Sequence, residues 1–293
     1  VSHLSLDHDV RFAHARDASG LELIPDAVAR PSSVEELREI LQQATAERTC
    51  VTPAGWQSST TGASITDRGI LLSLRNFSAI HEIDTDRRTV RVGAGAIVAD
   101  VRRAAEAKGM LFTPDPTSEE ESTVGGAIAC NASGARSLRY GATGPHVRAL
   151  TVLLANGAQL ELRRPQLEKN TVGYPIAHDP VEWFVGSEGT LGVVVEAEFA
   201  LQPLPHQVLG LVVPFASEAD ALAFVVAARC STRVHPRCLE YFDHGAMDIA
   251  RTAEGSSSWA AGAQAMVYVE ETGAREDCDD ELPLDEWLAL AET

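Results

Sequence analysis

Between residues 34 and 44 the apolar side chains Val34, Leu37, Ile40, Leu41 and Ala44 recur every three or four positions with polar residues between them, the spacing of one helix face. Ser33 and Glu36 have capping-box spacing, so the helix is predicted to open behind Pro31 and Ser32. A short strand is expected at Cys50–Thr52, another at Gly69–Leu74, and a hairpin from Ile80–Asp84 and Thr89–Gly93 turning through Thr85–Arg88. Val98, Val101 and Ala105 mark a second helix that stops before Gly109, a residue suited to a left-handed cap. Val147–Ala155 and Gln159–Arg163 read as a further hairpin with Asn156-Gly157 as its two-residue turn, and Val193–Leu201 as the last strand before Pro203 and Pro205.

Beyond Pro205 the pattern starts afresh. It predicts a strand at Val208–Phe215, a helix at Ser217–Arg229, and strands near Cys238–Phe242 and Ala265–Glu270. Leu284, Trp287, Leu288 and Ala291 suit one face of a short helix. Strands and helices alternate without a regular βαβ rhythm and no G-x-G-x-x-G follows a first strand, so the expected class is α+β rather than a doubly wound dinucleotide fold. The expected divisions are an extension at 1–25, a main domain at 26–205 and a second at 206–293.

Composition narrows the function. Forty-two acidic against 24 basic residues give a formal charge of −18, which disfavours nucleic acid and anionic lipid as partners. The N-terminus carries His3, Asp7, His8 and Asp9 where a signal peptide needs an apolar core, and no apolar run is long enough to span a bilayer, so a cytoplasmic protein with no transmembrane segment is expected. The five cysteines are widely spaced and include no C-x-x-C pair, which predicts reduced, buried thiols and no metal site.

Three segments rich in glycine and hydroxyl side chains stand out: Ala54–Gly62, Ser122–Gly141 and Gly186–Gly192. A pyrophosphate needs several backbone N–H groups aimed at one point, and glycine permits that approach. One such segment is ordinary turn chemistry; three in one chain point to a shared ligand.

The run from Pro31 to Pro205 also resembles the FAD-binding domain of the vanillyl-alcohol oxidase and p-cresol methylhydroxylase (PCMH-type) superfamily, in the branch of glycolate oxidase subunits and D-lactate or D-2-hydroxyglutarate dehydrogenases. The resemblance lies in Pro114-Asp115-Pro116, Ser122 to Ala129, Asn131-Ala132-Ser133-Gly134, Leu138-Arg139-Tyr140-Gly141, Lys169-Asn170 with Gly173-Tyr174, and Gly186 to Gly192. It implies a two-subdomain FAD-binding domain followed by part of an α+β cap domain.

By that resemblance the pyrophosphate would lie on Ala54, Gly55, Trp56, Gln57, Ser58 and Ser59. The flavin and ribityl chain would meet Pro116, Thr123, Gly125, Gly126, Asn131, Ser133, Gly134 and Tyr140, and the rest of the cofactor Glu188, Gly189, Val193 and Val194. Trp56 stands where the family has a glycine, and Gln57, Ser58 and Ser59 are expected to donate to phosphate oxygens. No histidine lies between Cys50 and Ile80, so the FAD is expected to be non-covalent. Cys130, inside a flavin-facing segment, reads as a packing residue.

The implied activity is FAD-linked oxidation of a 2-hydroxy acid or similar alcohol, with a small molecule as substrate. The family's later histidine-rich metal motif has no match here, and Asp243-His244-Gly245 lacks its second histidine, so the catalytic part is expected to be missing and no catalytic residue is assigned. The alternative is a non-catalytic FAD-binding subunit or scaffold completed by a partner chain or a second copy. A sugar-nucleotide reductase of the same fold fits the motifs less closely. Arg136, Arg139 and Tyr140 are candidates for gripping a carboxylate, whereas Glu240, Asp243 and His244 read as a solvated strand end.

Overall fold

The computed structural model describes residues 4–165, 169, 171, 179–253, 260, 262–273 and 281–292. The chain divides into two compact units: residues 1–134 with 142–202, and residues 135–141 with 203–293. The units therefore part at Gln202/Pro203 rather than at 205/206, and the short stretch Ala135–Gly141 goes with the second.

The first unit is built around two larger sheets. Strands β1 (Leu4–Ser5), β2 (Ala27–Ala29), β3 (Val51–Ala54) and β4 (Ile70–Ser73) are ordered β1-β2-β4-β3, with β2 and β3 both parallel to β4. Helix α1 (Val34–Glu47) makes the crossover between β2 and β3. Its start is as predicted: the Ser33 hydroxyl accepts from the Glu36 N–H at 3.2 Å. The Glu36 carboxylate reaches back one residue further than a capping box requires, accepting from the N–H and hydroxyl of Ser32 at 2.7 and 3.0 Å. Leu37, Ile40, Leu41 and Ala44 pack with Ile70 and Leu72 of β4.

The second sheet is antiparallel throughout, ordered β5-β6-β9-β7-β8 from β5 (Ile80–Asp84), β6 (Thr89–Gly93), β7 (Val147–Leu153), β8 (Gln159–Arg163) and β9 (Val193–Ala200). Its central strand β9 begins Val193-Val194-Val195, buried on both faces, and then alternates Glu196, Ala197, Glu198, Phe199. Val193 and Val195 join the α1 core, while Val194, Ala197 and Phe199 join a second core with α2 (Val98–Glu106) and α3 (Val124–Cys130). A strand covered on both sides needs the continuous apolar run seen here. The β7–β8 connection departs from expectation. Leu154 N–H donates to the Ala158 carbonyl at 2.9 Å, leaving three residues, Ala155–Gly157, in the loop, and only Gly157 (φ +80°) is left-handed. Asn156 accepts from the Ala158 N–H instead of adopting the positive φ that a two-residue Asn-Gly turn demands.

In the second unit β10 (Leu209–Phe215), β11 (Pro236–Phe242) and β12 (Ala265–Glu271) form an antiparallel sheet ordered β10-β12-β11. Short helix α4 (Ser137–Tyr140) packs against β11. Val267 and Val269 cover one face together with α5 (Glu218–Cys230) and α7 (Leu284–Ala291), and α6 (His244–Ala253) follows β11. The face of α7 differs from the predicted one: Trp287, Leu290 and Ala291 pack inward, while Leu284 and Leu288 are exposed. No helix among the described residues is long and apolar enough to cross a membrane.

Candidate cofactor-binding site

The three glycine-rich segments meet in the first unit around one cleft of about 620 Å³, a size suited to a large organic ligand. Residues 54–61 enter from the end of β3, Ser122 to Ser133 from α3 and its flanks, and Ser187 to Val194 from the turn before β9. They are tied to one another. The Gly186 and Glu188 N–H groups donate to the Ile128 and Ala129 carbonyls, each at 2.9 Å. Gly55 lies so close to α3 that a Cβ there would come within 2.2 Å of the Thr123 hydroxyl, the group that caps α3 by accepting from the Gly126 N–H. Only a residue without a side chain permits that approach.

The first loop is held from behind by Arg75, just past β4. Its Nε donates to the Gly55 carbonyl at 3.0 Å, its Nη2 donates to Gln57 Oε1 at 3.2 Å, and its guanidinium lies 4.3 Å from the centre of the Trp56 ring. Three successive loop residues are thereby fixed by one cation, and burial together with nearby Arg30 holds the Arg75 pKa below its ordinary value. Sequence reasoning missed Arg75, because nothing in its local pattern marks a residue that returns to a loop so far behind it. Trp56 is half exposed in the cleft, and Gln57 takes the left-handed conformation (φ +61°) next to it.

Of the expected site residues, Ala54, Gly55, Trp56, Gln57, Ser58, Ser59, Pro116, Thr123, Gly125, Gly126, Ser133, Glu188, Gly189, Val193 and Val194 line the cleft. Gln57 does so differently than expected: its amide donates to the His14 and Ser64 carbonyls at 2.9 and 3.3 Å, so the carboxamide braces the loop and is not turned toward a phosphate. Ser58 shares a 3.1 Å hydroxyl contact with Ser122. Three residues lie off the lining. Asn131 is the left-handed cap of α3, and its Oδ1 accepts from the Gly144 N–H at 2.9 Å. Gly134 is pressed against the Asp115 carbonyl, where a Cβ would come within 1.6 Å. Tyr140 belongs to α4 of the second unit. Asn170, Gly173 and Tyr174 lie outside the described residues.

Of the arginines proposed for carboxylate binding, Arg136 already holds a carboxylate and Arg139 is engaged by a hydroxyl and backbone carbonyls. Arg136 grips Glu270 bidentately, Nε to Oε2 at 2.8 Å and Nη2 to Oε1 at 3.0 Å, and Arg139 donates to Thr272 and to the Gly273 and His235 carbonyls. Asp243 caps α6 by accepting from the Ala246 N–H, His244 pairs with Asp248 at 3.2 Å, and Glu240 is exposed, in keeping with a solvated strand end. The cysteines also differ from expectation. Cys50, Cys130 and Cys230 are exposed and only Cys238 is buried, with Cys278 outside the described residues. Cys130 lines the cleft, and partial burial together with Glu188 pushes its thiol pKa up, away from a reactive thiolate.

A model of an FAD binding domain matches residues 25–163. The glycolate oxidase subunit GlcD of Bacillus subtilis (strain 168) is 33% identical over 278 residues, covering 93% of this chain and 57% of that protein. The chain belongs to the PCMH-type FAD-binding family. Within it, a D-2-hydroxyglutarate dehydrogenase of Xanthomonas citri pv. viticola is 35% identical over 228 residues, 76% of this chain and 46% of its own length. The chain spans about half the length of the curated relatives it matches. A solved alkyldihydroxyacetonephosphate synthase superposes with a TM-score of 0.78 over 93% of this chain and 55% of its own, at 22% identity, a likeness of fold.

The cleft fits the cofactor of this flavin family. Its lining holds the small residues Ala94, Gly125, Gly126, Ala127, Ala129 and Ala132, which leave room for a flat ring system, and a hydroxyl-rich first loop. Among the described residues no lysine, arginine or histidine lines it, so a pyrophosphate would be met by backbone N–H groups and hydroxyls, with the Arg75 charge behind the loop.

Proposed function

We propose that this chain binds FAD non-covalently in the cleft and that the protein carrying it oxidises a small 2-hydroxy acid. The observation that carries the cofactor reading is the convergence of three segments, far apart in sequence, on one cleft, with the Gly55–Thr123 approach that only glycine allows. The first loop contains no histidine that could make a covalent flavin bond, and burial together with Glu188 pushes the Cys130 thiol pKa up. The substrate reading draws on relatives named for glycolate, D-lactate and D-2-hydroxyglutarate.

When bound, flavin supplies the acceptor for two electrons. The protein's share is positional. The first loop, braced by Arg75 and Gln57, would hold the pyrophosphate, the α3 segment would lie along the flavin, and the Glu188–Val194 stretch would close the remaining side. Among the described residues the ionisable groups lining the cleft besides Cys130 are Glu121 and Glu188. Neither is assigned as the base that takes the hydroxyl proton, and the catalytic residues are left unassigned. A non-catalytic FAD-binding subunit completed by a partner is the second reading, favoured by one observation: the relative sharing 93% of this chain is itself named a subunit.

The test is a visible spectrum of the purified protein with and without FAD, followed by acid precipitation of one portion and anaerobic addition of glycolate, D-lactate or D-2-hydroxyglutarate to another. Flavin released into the supernatant of the first and bleached by one of the acids in the second is the expected result. Flavin that binds but is bleached by none favours the subunit reading, and a colourless protein that cannot be reconstituted sinks both.

A further inference from the structure

The second unit carries a guanidinium whose donors are only partly used. Arg237 is the extra residue of a β-bulge: Pro236 pairs with Glu271 and Cys238 with Glu270, so Arg237 has no partner across the ladder. Bulges re-aim side chains, and this one delivers the Arg237 Nε to Glu270 Oε2 at 2.8 Å. The side chain is 9% exposed, yet its Nη1 and Nη2 groups have no acceptor among the described residues.

The surroundings favour an anion. Glu270 divides one carboxylate between two guanidinium groups, Arg136 and Arg237, and meets Arg237 through Nε alone. The Tyr268 hydroxyl donates to Glu270 Oε1 at 2.8 Å and occupies its other side. Across the ladder from Glu270 stands Gly210, where an added Cβ would meet, among the described residues, only the Tyr268 hydroxyl at 3.8 Å, which leaves space above the sheet there. Val212, the next residue of β10 on that face, is 57% exposed. A nearly buried cation with four unclaimed N–H donors beside an open gap is costly unless water or a ligand takes them up.

We propose that the Nη groups of Arg237 form a carboxylate-binding subsite on this sheet face, taking a small organic acid by a bidentate charge-assisted contact. The choice of acid rests on the function proposed above; the existence of the subsite does not. Glu270 sets the guanidinium plane through Nε and leaves the outer edge for the ligand.

Oxalate, a small dicarboxylate, is the probe. Calorimetric titration into the full chain is expected to show binding that weakens with added salt, and Arg237→Leu to weaken it about tenfold or more. Arg237→Lys, which keeps the charge on Glu270 but not the fork, should fall between and serves as the test if the leucine variant does not fold. Melting temperature and FAD absorbance are read on each variant. No oxalate binding to wild type, or equal binding to the lysine and wild-type proteins, overturns the proposal. So does inorganic phosphate binding tenfold tighter than oxalate, which would make this a phosphate site. Oxalate binding with no FAD uptake would leave the subsite standing and remove the flavin reading.

Discussion

Gly55 shows how much one side chain's absence decides. Its Cα faces Thr123 across the gap between the first loop and α3, and alanine there would collide with the hydroxyl that caps the helix. Gly55→Ala is expected to lower stability by roughly 1–3 kcal/mol, the usual cost of overpacking, and to weaken FAD binding; thermal melts and a flavin titration on one sample would show both. An unchanged flavin affinity would mean the approach of the two segments does not shape the site. Trp56 makes the opposite point. Its bulk is legible in the sequence as a departure from the family, but its accommodation depends on an Arg75 guanidinium that no local pattern announces.

At the scale of elements, the helix start at Ser33 was readable because a capping residue acts on N–H groups only three residues away. Ser33→Ala should cost about 1 kcal/mol in denaturant unfolding, with the flavin spectrum untouched. The first loop is an element too, and Arg75 is its brace. Arg75→Ala frees the Gly55 carbonyl, the Gln57 amide and the Trp56 ring at once, so FAD affinity is expected to fall about tenfold or more, a loss of one to two hydrogen bonds' worth, while Arg75→Lys restores only part of it. Equal affinity in all three proteins would show that the loop keeps its shape unaided. The hairpin turn at Ala155–Gly157 and the rotated face of α7 were misread for one reason: the competing solutions share the same local pattern, and the choice lies with strand register and with which side the sheet presents.

For the molecule as a whole, the buried Glu270 cluster ties a remote stretch, Ala135–Gly141, into the second unit. Burial alone would raise the Glu270 pKa, but hydrogen bonds from Arg136 and Tyr268 and the charge of Arg237 prevail and bring it from 4.5 to about 2. The folded value is the lower one, so this stabilisation is complete above about pH 4.5 and is lost as pH falls toward about 2. Its size is on the order of 3 kcal/mol. Glu270→Gln, which takes the shared carboxylate away from Arg136 and Arg237, should therefore destabilise the protein at neutral pH by about that amount, and the gap between variant and wild type should close as unfolding is followed into acid. The same carboxylate, by raising the Tyr268 hydroxyl to about 12 along with burial, keeps that phenol a donor across the working range.

What the sequence by itself determined is whatever acts over a few residues or repeats with a period. That covers helices α1, α2 and α5, most of the longer strands, the α+β class, and the three glycine-rich segments whose composition announced a ligand. Convergence of those segments on one cleft, the brace from Arg75, the turning of the Gln57 amide inward and the capture of Arg136 by Glu270 were decided only by tertiary structure. Each depends on groups brought together from distant parts of the chain, where position in space, and not spacing in sequence, sets which donor meets which acceptor.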